Sequence, residues 1–226
     1  MKKIIAIVLT VSSLFFVMVS KSLAEITMGI SGTVGVYEAS GNEVLSGGRT
    51  NTAKEHKKFG YPTIFAEYNL GPASLGLEII AGSVTTDEEA RTDYNTSEPD
   101  GSNVCTGNDF CGTSGTNRVS VEVSRHISVY GILPIMETGA YLKAGLSRMN
   151  VETKESLATG STYGDVTGVG GKHLSLGYQH NIDFGFVRIE VGRSSYDNIS
   201  ATGSAGHKVD VDIEGGFARL SIGKSF

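Results

Sequence analysis

Past residue 24 the chain has no apolar stretch near the ~20 residues that a spanning helix needs, which excludes a helical membrane protein for the mature segment. Basic residues are in deficit, 19 Lys and Arg against 24 Asp and Glu, and that balance argues against a nucleic-acid partner. Only two cysteines are present, Cys105 and Cys111. With Asp109 and a distant histidine they fall short of a metal site, so neither a metal nor another cofactor is expected. Prolines number four, against thirty glycines, nine tyrosines and nine phenylalanines, which suits a β-rich chain with tight turns.

What the chain does have begins at its front. Met1, Lys2 and Lys3 form a basic start, residues 4–19 are apolar, and Ser22-Leu23-Ala24 supplies small residues where a signal peptidase reads. Residues 1–24 are therefore expected to be a cleaved signal peptide, the alternative being a retained anchor for which the apolar run is short. Glu25 then leads the mature chain; it is not Cys, so nothing points to a lipoprotein. Residues 25–226 fit one domain. Losing Lys2, Lys3 and Lys21 takes the formal charge from −5 to −8. In an oxidising envelope Cys105 and Cys111 are expected to close one small disulfide loop.

The remainder resolves into eight segments of roughly ten residues with period-two hydrophobicity, the mark of strands with two unlike faces. In the first, Ile26, Met28, Ile30, Val34 and Val36 oppose Thr27, Gly29, Ser31, Thr33 and Tyr37. The others fall near residues 60–70, 74–82, 119–133, 140–147, 174–179, 186–192 and 209–226. In the last, apolar parity changes from Val209, Val211 and Ile213 to Ala218, Leu220, Ile222 and Phe226. One extra residue would explain the change, so a β-bulge is predicted at Gly215 and Gly216.

Three connectors are tight, at Gly71-Pro72, 134–138 and 181–183; four are long and polar, at 39–59, 85–117, 152–170 and 195–208. That alternation describes an all-β, eight-stranded antiparallel transmembrane up-and-down barrel with short periplasmic turns and long extracellular loops. The opposite orientation, a secreted lipocalin-like barrel with its apolar face inward, has the same strand pattern. The polar face discriminates. Gly, Ser and Thr mixed with Glu67, Glu78, Glu122, Lys143, Arg188, Glu190 and Arg219 make a poor exterior for a soluble barrel and a good filling for a narrow lumen. Those four acids and three bases are expected to pair into a plug, a gated ion path being the alternative.

The chain ends "GGFARLSIGKSF". Alternating Leu220 and Ile222 before a terminal Phe226 resemble the β-signal of Gram-negative outer-membrane proteins, read by the barrel-assembly machinery, although Lys224 stands where an aromatic is usual. Together with the leader and the loop alternation, the whole mature chain resembles the small eight-stranded family of the OmpA membrane domain and the OmpX/Ail-like proteins. The resemblance implies an outer-membrane location and a non-enzymatic role in envelope integrity, adhesion or resistance, exercised through four displayed loops whose surface ligand is left open. No OmpA-type peptidoglycan-binding domain is expected to follow.

Other motifs carry less. His126 and Ser128 in "RHIS" resemble the His-x-Ser of lipid A deacylase barrels, where Ser attacks and His acts as base. Here both take the inward parity, and the next strand offers Ala140, Lys143 and Ser147 rather than a carboxylate. Polar lumen lining is the better account; no catalytic residue is assigned, and a lipid-modifying enzyme ranks behind a gated pore. "GDVTGVGGK" lacks the first glycine and the Ser/Thr of a phosphate loop. "TTDEEARTD" reads as a solvated acidic loop.

Counting up the outward parity from Leu133, Ala140, His180 and Gly185 places Arg125, Arg148, Lys172 and Arg193 at one height on four neighbouring strands, roughly 19 Å above the periplasmic rim. This sector is expected to meet the phosphates or acidic sugars of the outer-leaflet lipid, lipopolysaccharide, by charge-assisted hydrogen bonds; ordinary snorkelling is the alternative.

Overall fold

The computed structural model describes residues 25–44, 50–93, 115–157, 162–204 and 206–226; the leader and the Cys105–Cys111 pair lie outside them. Its strands are β1 Ile26–Val44, β2 Thr50–Asn69, β3 Ser74–Ile80, β4 Val84–Thr85, β5 Glu89–Asp93, β6 Gly115–Pro134, β7 Ala140–Ser156, β8 Val166–Ile182, β9 Gly185–Tyr196, β10 Ile199–Thr202 and β11 Lys208–Ser225. Eight of them form a ring in the order β1-β2-β3-β6-β7-β8-β9-β11 and back to β1. The closing seam runs unbroken from Thr27 opposite Ser225 to Val44 opposite Lys208, and the Phe226 amide donates to the Ile26 carbonyl at 2.9 Å. Closure removes the sheet edge that hydrocarbon could not hydrogen-bond.

The two faces of this ring are sorted as the polar lumen requires. Val34, Leu146 and Val191 point outward and are 64%, 64% and 61% exposed, whereas Glu78, Lys143 and Glu190 are buried inside. A water-soluble barrel would show the reverse. Outward Tyr178, Phe184 and Phe226 mark the end with the short turns, the place of an aromatic belt. The tight connectors lie where the sequence puts them, between β2 and β3, β6 and β7, and β8 and β9.

Above the aliphatic band the structure departs from the sequence reading. Much of the expected loop sequence is strand: β1 and β2 stay paired to Val44 opposite Thr50, and β6 and β7 to Arg118 opposite Ser156. In this collar the faces exchange. Met149, Val151, Val169 and Ile199 form a buried cluster on the inside, with Val121, Val123, Val166, Val211 and Ile213 packed against it. Polar residues take the outside, because the solvent there is water.

Two strands make the exchange by different means. In β11 there is no bulge at Gly215 and Gly216; both its ladders pass through them in register. The backbone keeps its alternation, and the hydrophobic residues change side. The predicted bulge was thus the trace of the solvent boundary rather than of an extra residue. In β6 the hydrophobic residues keep their phase and the backbone slips. The register shifts between Ser124 and Ile127, where Arg125 has φ 50°. That slip turns Val121 and Val123 inward and leaves Glu122 out of the lumen.

One seam is interrupted. Among the described residues β4 and β5 pair with β6 and not with β2, so the β2–β3 ladder stops at Thr63 opposite Ile80. Lys57 and Glu89 form an ion pair across the opening.

The sorting of faces predicts a position-dependent charge penalty along β1. Val34→Arg, on the lipid-facing band, lowers the unfolding free energy in phospholipid vesicles by about 2–4 kcal/mol, while Ser40→Arg, on the collar, changes it by less than about 1 kcal/mol. Urea titration followed by tyrosine fluorescence or by gel mobility of the folded barrel measures both.

Candidate functional site

The lumen is filled from the walls. An eight-stranded barrel leaves room only for side chains, and here aromatic rings lie flat across glycines on the neighbouring strand. Tyr130 sits opposite Gly76 and Tyr141 opposite Gly177. A Cβ on Gly76 would lie 2.3 Å from the Tyr130 ring, and one on Gly177 would lie 2.3 Å from the Tyr141 ring. Phe65 over Gly29 and Phe186 over Gly223 repeat the arrangement. The glycines are therefore seats for rings, and the rings aim hydroxyls at the charges.

Those charges form two layers. Nearer the short turns, Arg188 donates from Nη1 and Nη2 to the two carboxylate oxygens of Glu67 at 2.6 and 2.8 Å, and from Nε to Gln179 at 2.7 Å. Tyr130 donates to the same Glu67 carboxylate at 2.9 Å. Above, Arg219 donates to Glu78 at 2.9 Å, Glu190 at 3.4 Å and Thr33 at 2.9 Å. Lys143 reaches Glu78 at 3.2 Å and Glu190 at 3.5 Å, with its ammonium 3.8 Å from the centre of the Tyr130 ring. Tyr141 donates to Glu190 at 2.9 Å.

Six of the seven charges assigned to the lumen are thus brought together. Glu122 is the exception. Beyond the β6 slip it faces away from the apolar cluster and pairs with Lys154, whose hydrogen bond holds the Glu122 carboxyl below its ordinary value. What remains inside is three acids and three bases, a neutral set. Each carries contacts enough to offset the several kcal/mol that removing an ion from water costs.

His126 and Ser128 are buried above this layer, on the inward face. With Tyr61, His173, Ser194 and Arg219 they line a cavity of about 10 Å³. That volume fits a single water, and His126 Nδ1, Ser128 Oγ and His173 Nε2 are the polar atoms it would bridge. No substrate has room there. At the other end a vestibule of about 520 Å³ opens among the short turns and stops at the Arg188–Glu67 pair. His173 and the ring-on-glycine pairs were not singled out in the sequence; strand register was the missing information.

The outer wall carries the second group of candidates. Arg125, Arg148, Lys172 and Arg193 are all exposed and outward. Leu220 and Ile222 face the lipid side at 58% and 42% exposure, and Phe226 closes the seam beside them.

A double-mutant cycle tests the clamp. Glu67→Met alone strands the Arg188 guanidinium and costs about 3–5 kcal/mol of stability, while Glu67→Met with Arg188→Met falls within about 1–2 kcal/mol of the parent. Gly76→Val, which drives Tyr130 off its seat, is expected to cost at least about 2 kcal/mol. Reversible urea unfolding in vesicles reads all three.

The sequence matches no protein-family model and no curated protein sequence. Solved structures do resemble the fold. The outer membrane protein OprG from Pseudomonas aeruginosa superposes with a TM-score of 0.50 at 15% identity, over 92% of this chain and 98% of that one. The outer membrane protease OmpT from Escherichia coli gives 0.46 at 12% identity, over 92% and 100%. Ail, the attachment invasion locus protein of Yersinia pestis, gives 0.34 at 11% identity, over 84% and 98%. At 15% identity the likeness to OprG speaks to architecture, and it agrees with the closed ring and the lipid-facing aliphatic band: the chain has the fold of the small outer-membrane β-barrel proteins.

Proposed function

We propose that this chain is a non-enzymatic outer-membrane protein, a barrel held shut by its own side chains that raises a polar collar and its connecting segments above the outer leaflet. The observation that carries this reading is the neutral set of Glu67, Glu78, Glu190, Lys143, Arg188 and Arg219, paired across the lumen between the vestibule and the apolar cluster. An ion path would need a continuous wet column. Here the column from the short-turn end stops at Arg188, and the apolar cluster around Met149 and Val169 packs inside the collar above.

The same geometry weighs against a hydrolase built on His126 and Ser128, since a one-water cavity admits no acyl chain or sugar. The remaining roles consistent with the architecture are adhesion, envelope integrity and resistance, all exercised by the collar and the segments that join its strands. Insertion by the barrel-assembly machinery, directed by Leu220, Ile222 and Phe226, belongs to this reading.

In planar bilayers the purified barrel is expected to show no steady conductance, whereas the triple variant Glu78→Ala, Lys143→Ala, Glu190→Ala shows frequent openings. Large steady conductance from the parent protein would overturn the plugged-lumen reading. Expressed in a Gram-negative host, the parent is expected to leave the lipid A mass spectrum unchanged; a new lipid A species would make it an enzyme.

A further inference from the structure

Following each ring strand upward along its outward face shows where the aliphatic band ends and what comes next. On β6 the last aliphatic is Ile127 and the next outward residue is Arg125; on β7 they are Leu146 and Arg148; on β8, Leu174 and Lys172; on β9, Val191 and Arg193. The four form a regular staircase. Arg148 stands opposite Ile127, Lys172 opposite Leu146, and Arg193 opposite Leu174, so each cation faces the last aliphatic of the strand before it. A two-residue step per strand approximates the stagger that tilted strands need to hold one level.

The rest of the rim has a different character. On β11 the residue opposite Val191, at the level of the staircase, is Ala218, and the next outward residue is Gly216; Glu214 and its cross-strand partner Glu38 stand above that level, within 4 Å of Arg193 and Lys54 respectively. On β2 the outward face past Ile64 continues with Pro62 and Gly60 before it reaches Lys58. At this level the rim is therefore cationic on four neighbouring strands and uncharged on β11 and β2. Generic snorkelling would scatter cations around the circumference and would not confine them to adjacent strands.

The backbone is specialised at this level on the basic side. β6 slips at Arg125, a non-glycine residue at φ 50°, a conformation that L-residues adopt at a cost. β8 slips at Gly168, φ 73°, opposite Met149 and Val151. The Arg148 guanidinium lies over Gly168, with Nη2 2.4 Å from where a Cβ would sit. The two slips thus flank β7, one presenting Arg125 and the other seating Arg148. Arg193 lies 3.9 Å from Glu214 and ends the row; among the described residues no carboxylate pairs with Arg125, Arg148 or Lys172.

We infer that this staircase is a binding site for the phosphorylated headgroup of an outer-leaflet glycolipid. Four strands span about 15 Å at the usual spacing, which suits a disaccharide carrying more than one phosphate better than a single small anion. Guanidinium groups engage phosphate oxygens in bidentate fashion, and the boundary of the apolar band sets the acyl chains against Ile127, Leu146 and Leu174 while the headgroup meets the cations. β11 and β2 present no cation at that level, so glycolipid occupies one flank of the barrel. The site rests on the outer-membrane placement above.

The test uses the whole mature barrel folded in a zwitterionic detergent, with the gel shift of the folded form and the urea midpoint checked for every variant. Binding of deep-rough lipopolysaccharide bearing its lipid A phosphates is measured by calorimetry. Arg125→Gln, Arg148→Gln, Lys172→Gln is expected to weaken it by about fivefold per cation removed. A charge-matched set away from the sector, Lys54→Gln, Lys58→Gln, Lys208→Gln, is expected to change it by less than threefold. Enzymatically dephosphorylated glycolipid is expected to bind the parent as weakly as the sector variant does. Equal losses from both triples, no loss from the sector triple, or undiminished binding of the dephosphorylated glycolipid would each overturn the assignment. A parent barrel that needed no detergent to stay monodisperse would instead overturn the membrane placement itself.

Discussion

A backbone amide in hydrocarbon has no water to fall back on, and everything else in this structure follows from meeting that constraint with a closed ring. Closing eight strands fixes the lumen at a width that only side chains fill. The inner face then needs residues that are polar enough to be kept from lipid and paired well enough to be kept from water. The Arg188–Glu67 clamp and the Arg219–Glu78–Glu190–Lys143 cluster satisfy both demands, and the tyrosines supply the hydrogen bonds that the ion pairs leave over. The glycines are part of the same solution, because Tyr130 and Tyr141 reach Glu67 and Glu190 only by lying across Gly76 and Gly177.

The barrel has two solvents along its length, and its sequence changes grammar between them. Within the lipid band the outside is aliphatic and the inside charged. In the collar the cluster around Met149 and Val169 is inside, as in any water-soluble protein. The boundary is written differently on different strands. β11 holds its backbone phase and moves its hydrophobic residues, while β6 holds the hydrophobic phase and slips the backbone at Arg125. Both bring the same face to the same solvent. The proposed function follows from this division: in it the band anchors, the plug closes, and the collar meets the outside.

Most of the lower barrel was legible in the sequence, because period-two alternation with acids and bases on one face has few other readings. Ile26 to Val36 and Leu142 to Leu146 stand on the faces their parity assigned, and six of the lumen charges converge from sequence positions more than a hundred residues apart. The collar was not legible to the same degree. Val209, Val211 and Ile213 carried the right signal, a change of apolar parity, but parity alone does not distinguish an inserted residue from a change of solvent. Glu122 was misplaced for the complementary reason, since a slip at Arg125 leaves the hydrophobic rhythm intact and so makes no mark on it. The charge staircase sits between these cases: its members were countable from sequence, whereas the two slips that flank β7 needed the strand register.

The central claim is that lipid and water exchange places along the outer wall while the inner wall changes in the opposite sense. Spin labels placed singly at positions 209 to 222 of β11 measure this directly through their accessibility to oxygen and to a water-soluble nickel complex, with the barrel in phospholipid vesicles. The account predicts that labels at Leu220 and Ala218 favour oxygen, that labels at Glu214 and Asp212 favour nickel, and that Val211 and Ile213 are shielded from both. Nickel access at Leu220 and Ala218 equal to that at Asp212 would contradict it.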